Sequence, residues 1–385
     1  MNIDRFSDKF PGKLEQITTN FGDDWAFIPN PLPPNWEFPI DLWPLLSDAR
    51  QSLARLDGIG RTLPNPELLL HPLQHREALT SSSLEGTYAS PQQLLLFEAN
   101  PREPKSSRDP ANASREVLNY SDVLKQGASL LDSLPFCLRY IRELHKTLLM
   151  GVRGNDKRPG DFRPYQVHIG SDRRFIPPPA SKINECLAAF EEQLNSCCNK
   201  YDPLVMCYLL HYQFEAIHPF VDGNGRMGRA LLSLMIYKWC NLKMPWLYMS
   251  AFFERYKSEY IDRLFAVSTD GDWHGWIEFC LRGTKEQAND AVERCDKLRA
   301  LRDSFHSTTE ANGPSPRTHA IIDSLFNFPM VTVRKIQDQF EISYPTARAD
   351  LDKLRELGIL DTINVRPVMY YSIPIFEIAY NNSVD

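Results

Sequence analysis

The sequence predicts a mainly α-helical fold: an N-terminal helical extension (1–110), a helical core interrupted by one β-hairpin (111–310) and a C-terminal winged helix (315–378). Three observations carry this expectation. Segments with apolar residues at helical spacing follow one another through most of the 385 residues, and strand-like stretches occur in only two short places. A glycine-rich turn lies between two apolar helical stretches, Leu204–Ile217 and Met227–Trp239. After Pro314–Pro316 the composition restarts, with three short helices and a hairpin in about sixty residues, the helix-turn-helix variant with a wing.

The elements follow in order. Residues 1–45 are rich in proline and carry Trp25, Trp36 and Trp43, which predicts an extended segment strapped across a surface. Leu46–Gly60 reads as a helix ending at its glycine, and Pro66–Ser83 as a second, with Leu68, Leu69, Leu73 and Leu79 among charges. Pro101–Pro110 is a loop. Arg115–Gln126 and Phe136–Leu149 are core helices. Glycines and prolines between Gly151 and Pro179 leave room only for short strands: Gln166–Ile169 paired with Arg174–Ile176 across Gly170–Ser–Asp172. Helices then follow at Ile183–Cys197, Leu204–Ile217, Met227–Trp239, Tyr248–Leu264 and Trp276–Phe305. The C-terminal helices are Thr318–Phe326, Thr332–Phe340 and Ser343–Leu357, with Thr332 and Ser343 as N-caps. Leu360–Asn364 and Val368–Ile373 pair across Val365–Arg–Pro367 as the wing.

Composition bounds the function. The 43 basic and 49 acidic residues leave a net charge of −6, which argues against coating nucleic acid or anionic membrane by bulk charge. The eight cysteines include no C-x-x-C pair, and Cys197–Cys198 are adjacent, a poor geometry for metal or staple. With no apolar signal core at the N-terminus and no run of membrane-spanning length, a reduced cytoplasmic setting is expected. In the third C-terminal helix Arg348, Lys353 and Arg355 are offset by Asp350, Asp352 and Glu356. Phosphate attraction there is weak, so residues 315–378 are expected to meet a protein partner sooner than DNA.

Chemistry concentrates in His218–Pro–Phe–Val–Asp–Gly–Asn–Gly–Arg–Met–Gly–Arg229. If the ligand is a nucleotide, each residue type has a task. Gly223 and Gly225 let backbone N–H groups approach an anion without a Cβ in the way, and the next helix N-terminus adds unpaired donors. Arg226 and Arg229 can fork onto phosphate oxygens. Asp222 is the hard oxygen ligand that Mg2+ takes beside phosphates. His218 is mostly neutral near pH 7 and can accept a proton from an attacking hydroxyl.

This run matches, without a gap, the HPFx[D/E]GNGRxxR signature, and the chain so resembles the Fic proteins, over roughly 20–305. The resemblance implies a protein adenylyltransferase that moves AMP from ATP to a Ser, Thr or Tyr hydroxyl, with Mg2+ on Asp222. His218 is then the base, and Asp222, Gly223, Asn224, Gly225, Arg226, Met227, Gly228 and Arg229 surround the nucleotide. Tyr260 is implied to lie against the adenine; Ile261 and Ser268 depart from the family pattern and bear on base choice. Ser81–Ser–Ser–Leu–Glu–Gly86 resembles the inhibitory [S/T]xxxE[G/N] motif, which implies that Glu85 pairs with Arg229 and restrains the enzyme. The hairpin resembles the Fic flap, whose strand edge (Gln166, Val167, His168 and Ile169) docks the target backbone. Self-modification and a homodimer belong to the same expectation. A nucleotide-sensing regulator or scaffold acting through the C-terminal module stands as the alternative, as do UMP or GMP transfer and AMP removal.

Overall fold

The computed structural model describes residues 1–19, 22–62, 67–106, 108–152, 157–170, 173–196, 200–313, 315–363 and 365–381. Pro66, the expected turn residues Ser171 and Asp172, the Cys197–Cys198 pair, Pro314 and Asn364 lie outside them.

The chain opens with an antiparallel hairpin, β1 (Gly12–Thr19) and β2 (Gly22–Pro29), in register from Gly12↔Pro29 to Thr19↔Gly22. This corrects the expected strap. Leu14 and Ile17 sit on a pleated surface, and Phe27 is buried against Phe6, Phe10 and Phe175. Pro29 closes β2, and the run from Pro31 to Pro44 follows the pairing, where a missing N–H costs no ladder bond. There the chain does lie across the core: the Pro34 carbonyl accepts from Lys200 Nζ (2.8 Å) and the Tyr201 hydroxyl (3.1 Å).

Helices follow: α1 (Trp43–Thr62), α2 (Glu67–Leu84), α3 (Pro91–Ala99), α4 (Ala111–Leu130), α5 (Leu138–Leu148), α6 (Ile183–Asn195), α7 (Pro203–Ile217), α8 (Asn224–Trp239), α9 (Ser250–Arg255), α10 (Lys257–Asp270) and α11 (Trp273–Ala311). Gly60 does not end α1. A Cβ there would fall 2.3 Å from the Trp246 ring, so the glycine admits a close approach. Helix α3, opened by a Ser90–Gln93 capping box, is absent from the sequence reading. The expected single helix Tyr248–Leu264 is two, broken where Tyr256 takes φ −110° and ψ 39°. Helix α7 is buried on nearly every side, which makes it the central rod of the bundle; it packs on α8, α6, α11 and β2.

The flap is shorter than expected. Among the described residues only Ile169 and Phe175 pair, with N···O distances of 2.9 and 3.4 Å. Pro177–Pro179 offer no donors to extend a ladder, and the Gln166 amide instead bonds the Val167 and Pro177 carbonyls. His168 is exposed.

The C-terminal elements are α12 (Pro316–Asn327), β3 (Met330–Val331), α13 (Val333–Phe340), α14 (Tyr344–Glu356), β4 (Asp361–Ile363), β5 (Met369–Tyr371) and α15 (Ile373–Tyr380). Their strands order as β3-β5-β4, antiparallel. Thr332 and Ser343 do cap α13 and α14. This unit packs on α2 and α11, and Arg294 of α11 donates to the carbonyls of Ile378 (2.5 Å) and Asn381 (2.9 Å). One buried apolar cluster runs from Phe27 through to Ile375. Among the described residues no helix is long and apolar enough to cross a membrane.

Candidate active site

Helix α7 ends because His218 adopts a left-handed conformation, φ 50° and ψ 62°, and Pro219 cannot continue the helix. A non-glycine residue in that region costs about 1–3 kcal/mol and persists only where its surroundings impose it. Arg163 imposes it. Its Nε donates to the His218 carbonyl (2.8 Å), and its backbone N–H donates to that of Pro219 (2.9 Å). The other end of the same guanidinium holds the Tyr165 and Pro178 carbonyls, so one buried arginine ties the histidine turn to the flap.

The turn then closes on itself. Asn224 accepts from the Phe220 N–H (2.8 Å) and donates to the Phe220 carbonyl (2.9 Å), and Gly223 at φ 75° leads into α8. From below, His145 stacks on Phe220 with centroids 3.6 Å apart. Its Nδ1 accepts from the Gly160 N–H, so Nε2 carries the proton and donates to the Asp222 carbonyl at 2.9 Å. Burial lowers the His145 pKa to about 4, which keeps that tautomer neutral.

Two arginines project from the first turns of α8. Arg229, 3% exposed, donates from Nε to Ser81 Oγ (2.9 Å) and from NH2 to both the Ser81 carbonyl (2.9 Å) and Glu85 Oε1 (2.8 Å). Burial alone would raise the Glu85 pKa, but Arg229 outweighs it and holds the carboxyl below its ordinary value. Glu85 presses so closely on Gly225 that a Cβ there would fall 2.1 Å from its Oε1. Arg226 is held by Glu116 (3.3 Å) and faces Asp222 at 3.8 Å. The Asp222 side chain is 46% exposed, with Oδ1 accepting the Gly223 N–H at 2.6 Å.

Glu85, His218, Gly225 and Arg229 open on one cavity of about 540 Å3, whose other walls include Ile169, Phe175, Tyr260, Ile261, Phe265 and Ser268. Burial, with Arg163 beside it, lowers the His218 pKa to about 4, so the ring is a neutral base near pH 7. Glu215, which also lines the cavity, is pushed up to about 7 by burial. A neutral imidazole, Gly225 at a helix start and a buried arginine around one cavity can hold an anion beside a proton acceptor.

Residues 43–129 match the Fic/DOC family N-terminal region, and 135–236 match the Fic/DOC family. The chain carries a Fic/DOC domain. "Protein adenylyltransferase Fic" of Drosophila grimshawi is 34% identical over 125 residues, which are 32% of this chain and 25% of that relative. The match thus spans about a quarter of the relative's length. A Fic family protein from Desulfovibrio desulfuricans G20 superposes with a TM-score of 0.58 at 19% identity, covering 89% of this chain and 98% of that one. A Fic domain containing signaling protein from Bacteroides thetaiotaomicron VPI-5482 gives 0.52 at 18% identity, covering 65% and 97%.

Of the nucleotide-binding residues expected from the sequence, Gly225, Arg229 and Tyr260 line the cavity, whereas Asp222, Gly223, Asn224, Arg226, Met227 and Gly228 do not, and a Cβ on the buried Gly228 would meet Glu215 at 2.2 Å. Tyr260 is 5% exposed, its ring stacked on Phe253 and its hydroxyl 2.9 Å from His211 Nε2. Gln166, Val167 and His168 lie away from the cavity wall, which Ile169 reaches. Sequence reasoning missed Arg163, His145 and Glu116. Each supports the signature from a separate element, and no local spacing announces such a partner.

Proposed function

We propose that this chain is a protein adenylyltransferase restrained by its own Glu85. The observation that supports this most is that His218, Gly225 and Arg229 line one cavity, with Glu85 held on Arg229 and pressed against Gly225. ATP phosphates would lie on the α8 N-terminus, with Arg226 and Arg229 forked onto them. A Ser, Thr or Tyr oxygen of the target then attacks the α-phosphorus, and the bond to the bridging oxygen of the β-phosphate breaks. The hydroxyl proton goes to His218, and pyrophosphate leaves. Positioning and charge stabilisation supply most of the rate. Asp222, an exposed carboxylate beside the turn, is the residue that would hold Mg2+, since an ion of that kind takes a single carboxylate with phosphates and water. When bound, the ion neutralises charge on the departing pyrophosphate.

Arg229 cannot fork onto Glu85 and a phosphate at once, because both need the same planar donors. With Glu85 in place, ATP phosphates are displaced and the α-phosphorus is misaligned, which acts on rate more than on binding. Glu85→Gly is therefore expected to raise the initial rate of AMP incorporation by on the order of ten- to a hundred-fold at saturating ATP and Mg2+. Labelled ATP and intact-mass spectrometry read the result, and equal rates in the two proteins defeat the restraint. Parallel incubations with UTP and GTP test the base, because Ile261 stands 43% exposed at the cavity and the Ser268 hydroxyl is bonded to that of Tyr212.

We read 315–378 as a winged helix that meets protein rather than DNA. Support comes from α14, where Asp350 is held by Arg317 (2.6 Å) and Arg348 faces Asp352 (3.4 Å). With its charges paired, this helix offers little field to phosphate. A gel-shift series with random duplex DNA at low salt tests this, and tight salt-sensitive binding would reverse it.

A further inference from the structure

Helix α2 carries a second constellation, remote in sequence from the Fic signature. His71 and His75 stand one helical turn apart, with ring centroids 4.0 Å apart, and Glu98 of α3 faces both. His71 Nε2 lies 3.3 Å from Glu98 Oε1, and His75 Nε2 lies 3.3 Å from Glu98 Oε2. All three ligand atoms fall within 4.8 Å of one another.

We propose that His71, His75 and Glu98 form a binding site for a transition-metal ion of the zinc class. Four ligands at about 2.0–2.1 Å around a tetrahedral ion stand about 3.3–3.4 Å from one another. The imidazole–carboxylate separations, one to each carboxylate oxygen, already have that value, and with one atom from each residue within 4.8 Å of the others, side-chain rotation closes the set on an ion. The donor set is also selective. Two imidazoles and one carboxylate suit Zn2+, Co2+ or Ni2+, whereas Mg2+ and Ca2+ prefer oxygen alone.

The second observation is an unmet need. His75 is fully buried, and neither of its ring nitrogens has a hydrogen-bond partner among the described residues. Glu98 Oε2 and His71 Nδ1 share that condition. Native interiors rarely leave such groups unmatched, and a bound ion satisfies one ring nitrogen of His75 and the Glu98 carboxylate together. Burial also lowers the His75 pKa to about 3, which keeps the ring in the neutral, metal-ligating form. Among the described residues no fourth His, Cys, Asp or Glu joins the group, so water completes the coordination. Lys125 opposes a cation here and Asp122 favours one, and each acts on Glu98 from α4. Held this way, the ion ties α2 to α3, independently of any transfer chemistry.

The test uses the full chain, stripped with chelator and titrated with Co2+ and then Zn2+. The expected result is one equivalent of Co2+ with the intensified visible bands of four-coordinate nitrogen–oxygen ligation, displaced by Zn2+, and a higher melting temperature with Zn2+. His71→Ala combined with Glu98→Gln should abolish both, while Asp222→Ala should leave both in place. If the double variant does not fold, Glu98→Gln alone, a near-isosteric change at a partly exposed side chain, carries the comparison. Thiolate charge-transfer bands, or metal content and melting shifts equal in wild type and Glu98→Gln, would overturn the site.

Discussion

Arg229 is bonded to Ser81 and Glu85, and the proposed function gives the same fork a second claimant in a nucleotide phosphate. Ser81 and Glu85 occupy its fork, and Gly225 leaves the room Glu85 needs. Gly225 was expected to admit an anion and Glu85 to pair with Arg229, and the structure brings the two together, with Glu85 bonded to Arg229 and pressed on Gly225. His218 is the complementary case. Its ring opens on the cavity while its backbone is fixed by Arg163, so removing the ring should spare the phosphate groups' partners. His218→Ala is expected to abolish AMP transfer and leave ATP affinity nearly unchanged. Calorimetry on the folded variant decides it: lost ATP binding would take His218 out of the base role. The low His218 pKa adds a pH expectation. A base acts deprotonated, so kcat/KM should fall only as pH drops toward about 4, not near the ordinary imidazole value of about 6.5. The pH–rate profile of Glu85→Gly, which has measurable turnover, reads this limb.

Elements α7 and α8 were both legible from their apolar periodicity, but the turn that joins them depends on a side chain. Asn224, 3% exposed, bonds both backbone groups of Phe220. Asn224→Ala leaves a buried donor and acceptor unmatched, so a loss of about 1–3 kcal/mol in urea unfolding is expected, together with weaker nucleotide binding. An unchanged midpoint would show that water replaces the amide. Strands were the least legible elements. The β1–β2 hairpin went unseen because proline density downstream dominated the reading of 1–45, and the flap was overextended because alternation there is not backed by donors at Pro177–Pro179. Helix α3 was missed although Ser90 and Gln93 form a capping box. Its nine residues are too few for periodicity to speak.

At the scale of the molecule, four buried histidines set the acid response. His75, His145, His211 and His218 have folded pKa values of about 3, 4, 3 and 4. Burial is the largest cause in each. Between those values and about 6.5 the unfolded chain binds more protons, so stability is lost as pH falls, by up to about 1.4 kcal/mol per pH unit for each ring. Glu215, raised to about 7, and Glu77, also raised, act in the opposite sense, their contribution being lost as pH rises. The histidines outnumber them. The urea midpoint should therefore drop steeply below about pH 6.5, and a flat midpoint down to about pH 4.5 would contradict it. A second expectation concerns α12–α15. They pack on α2 and α11, and Arg294 binds their last carbonyls. Ending the chain after Ala311 uncovers that apolar contact, so a lower melting temperature and self-association on size-exclusion chromatography are expected. A monodisperse truncation with an unchanged melting temperature would mark the C-terminal unit as independent.

What the sequence by itself determined is the chemistry on offer and most of the helices that carry it. His218 through Arg229 is contiguous, so its residue types and spacing can be read without a fold, and helical periodicity is a local signal of the same kind. Tertiary structure alone decided what each group meets. Arg163 holding the His218 carbonyl is separated from it by 55 residues, Glu116 on Arg226 by 110, and Ser81 on Arg229 by 148. His71, His75 and Glu98 likewise become a cluster only when α2 and α3 pack. Such pairings arise from how whole helices bury their apolar faces together, and no window of local sequence contains that information.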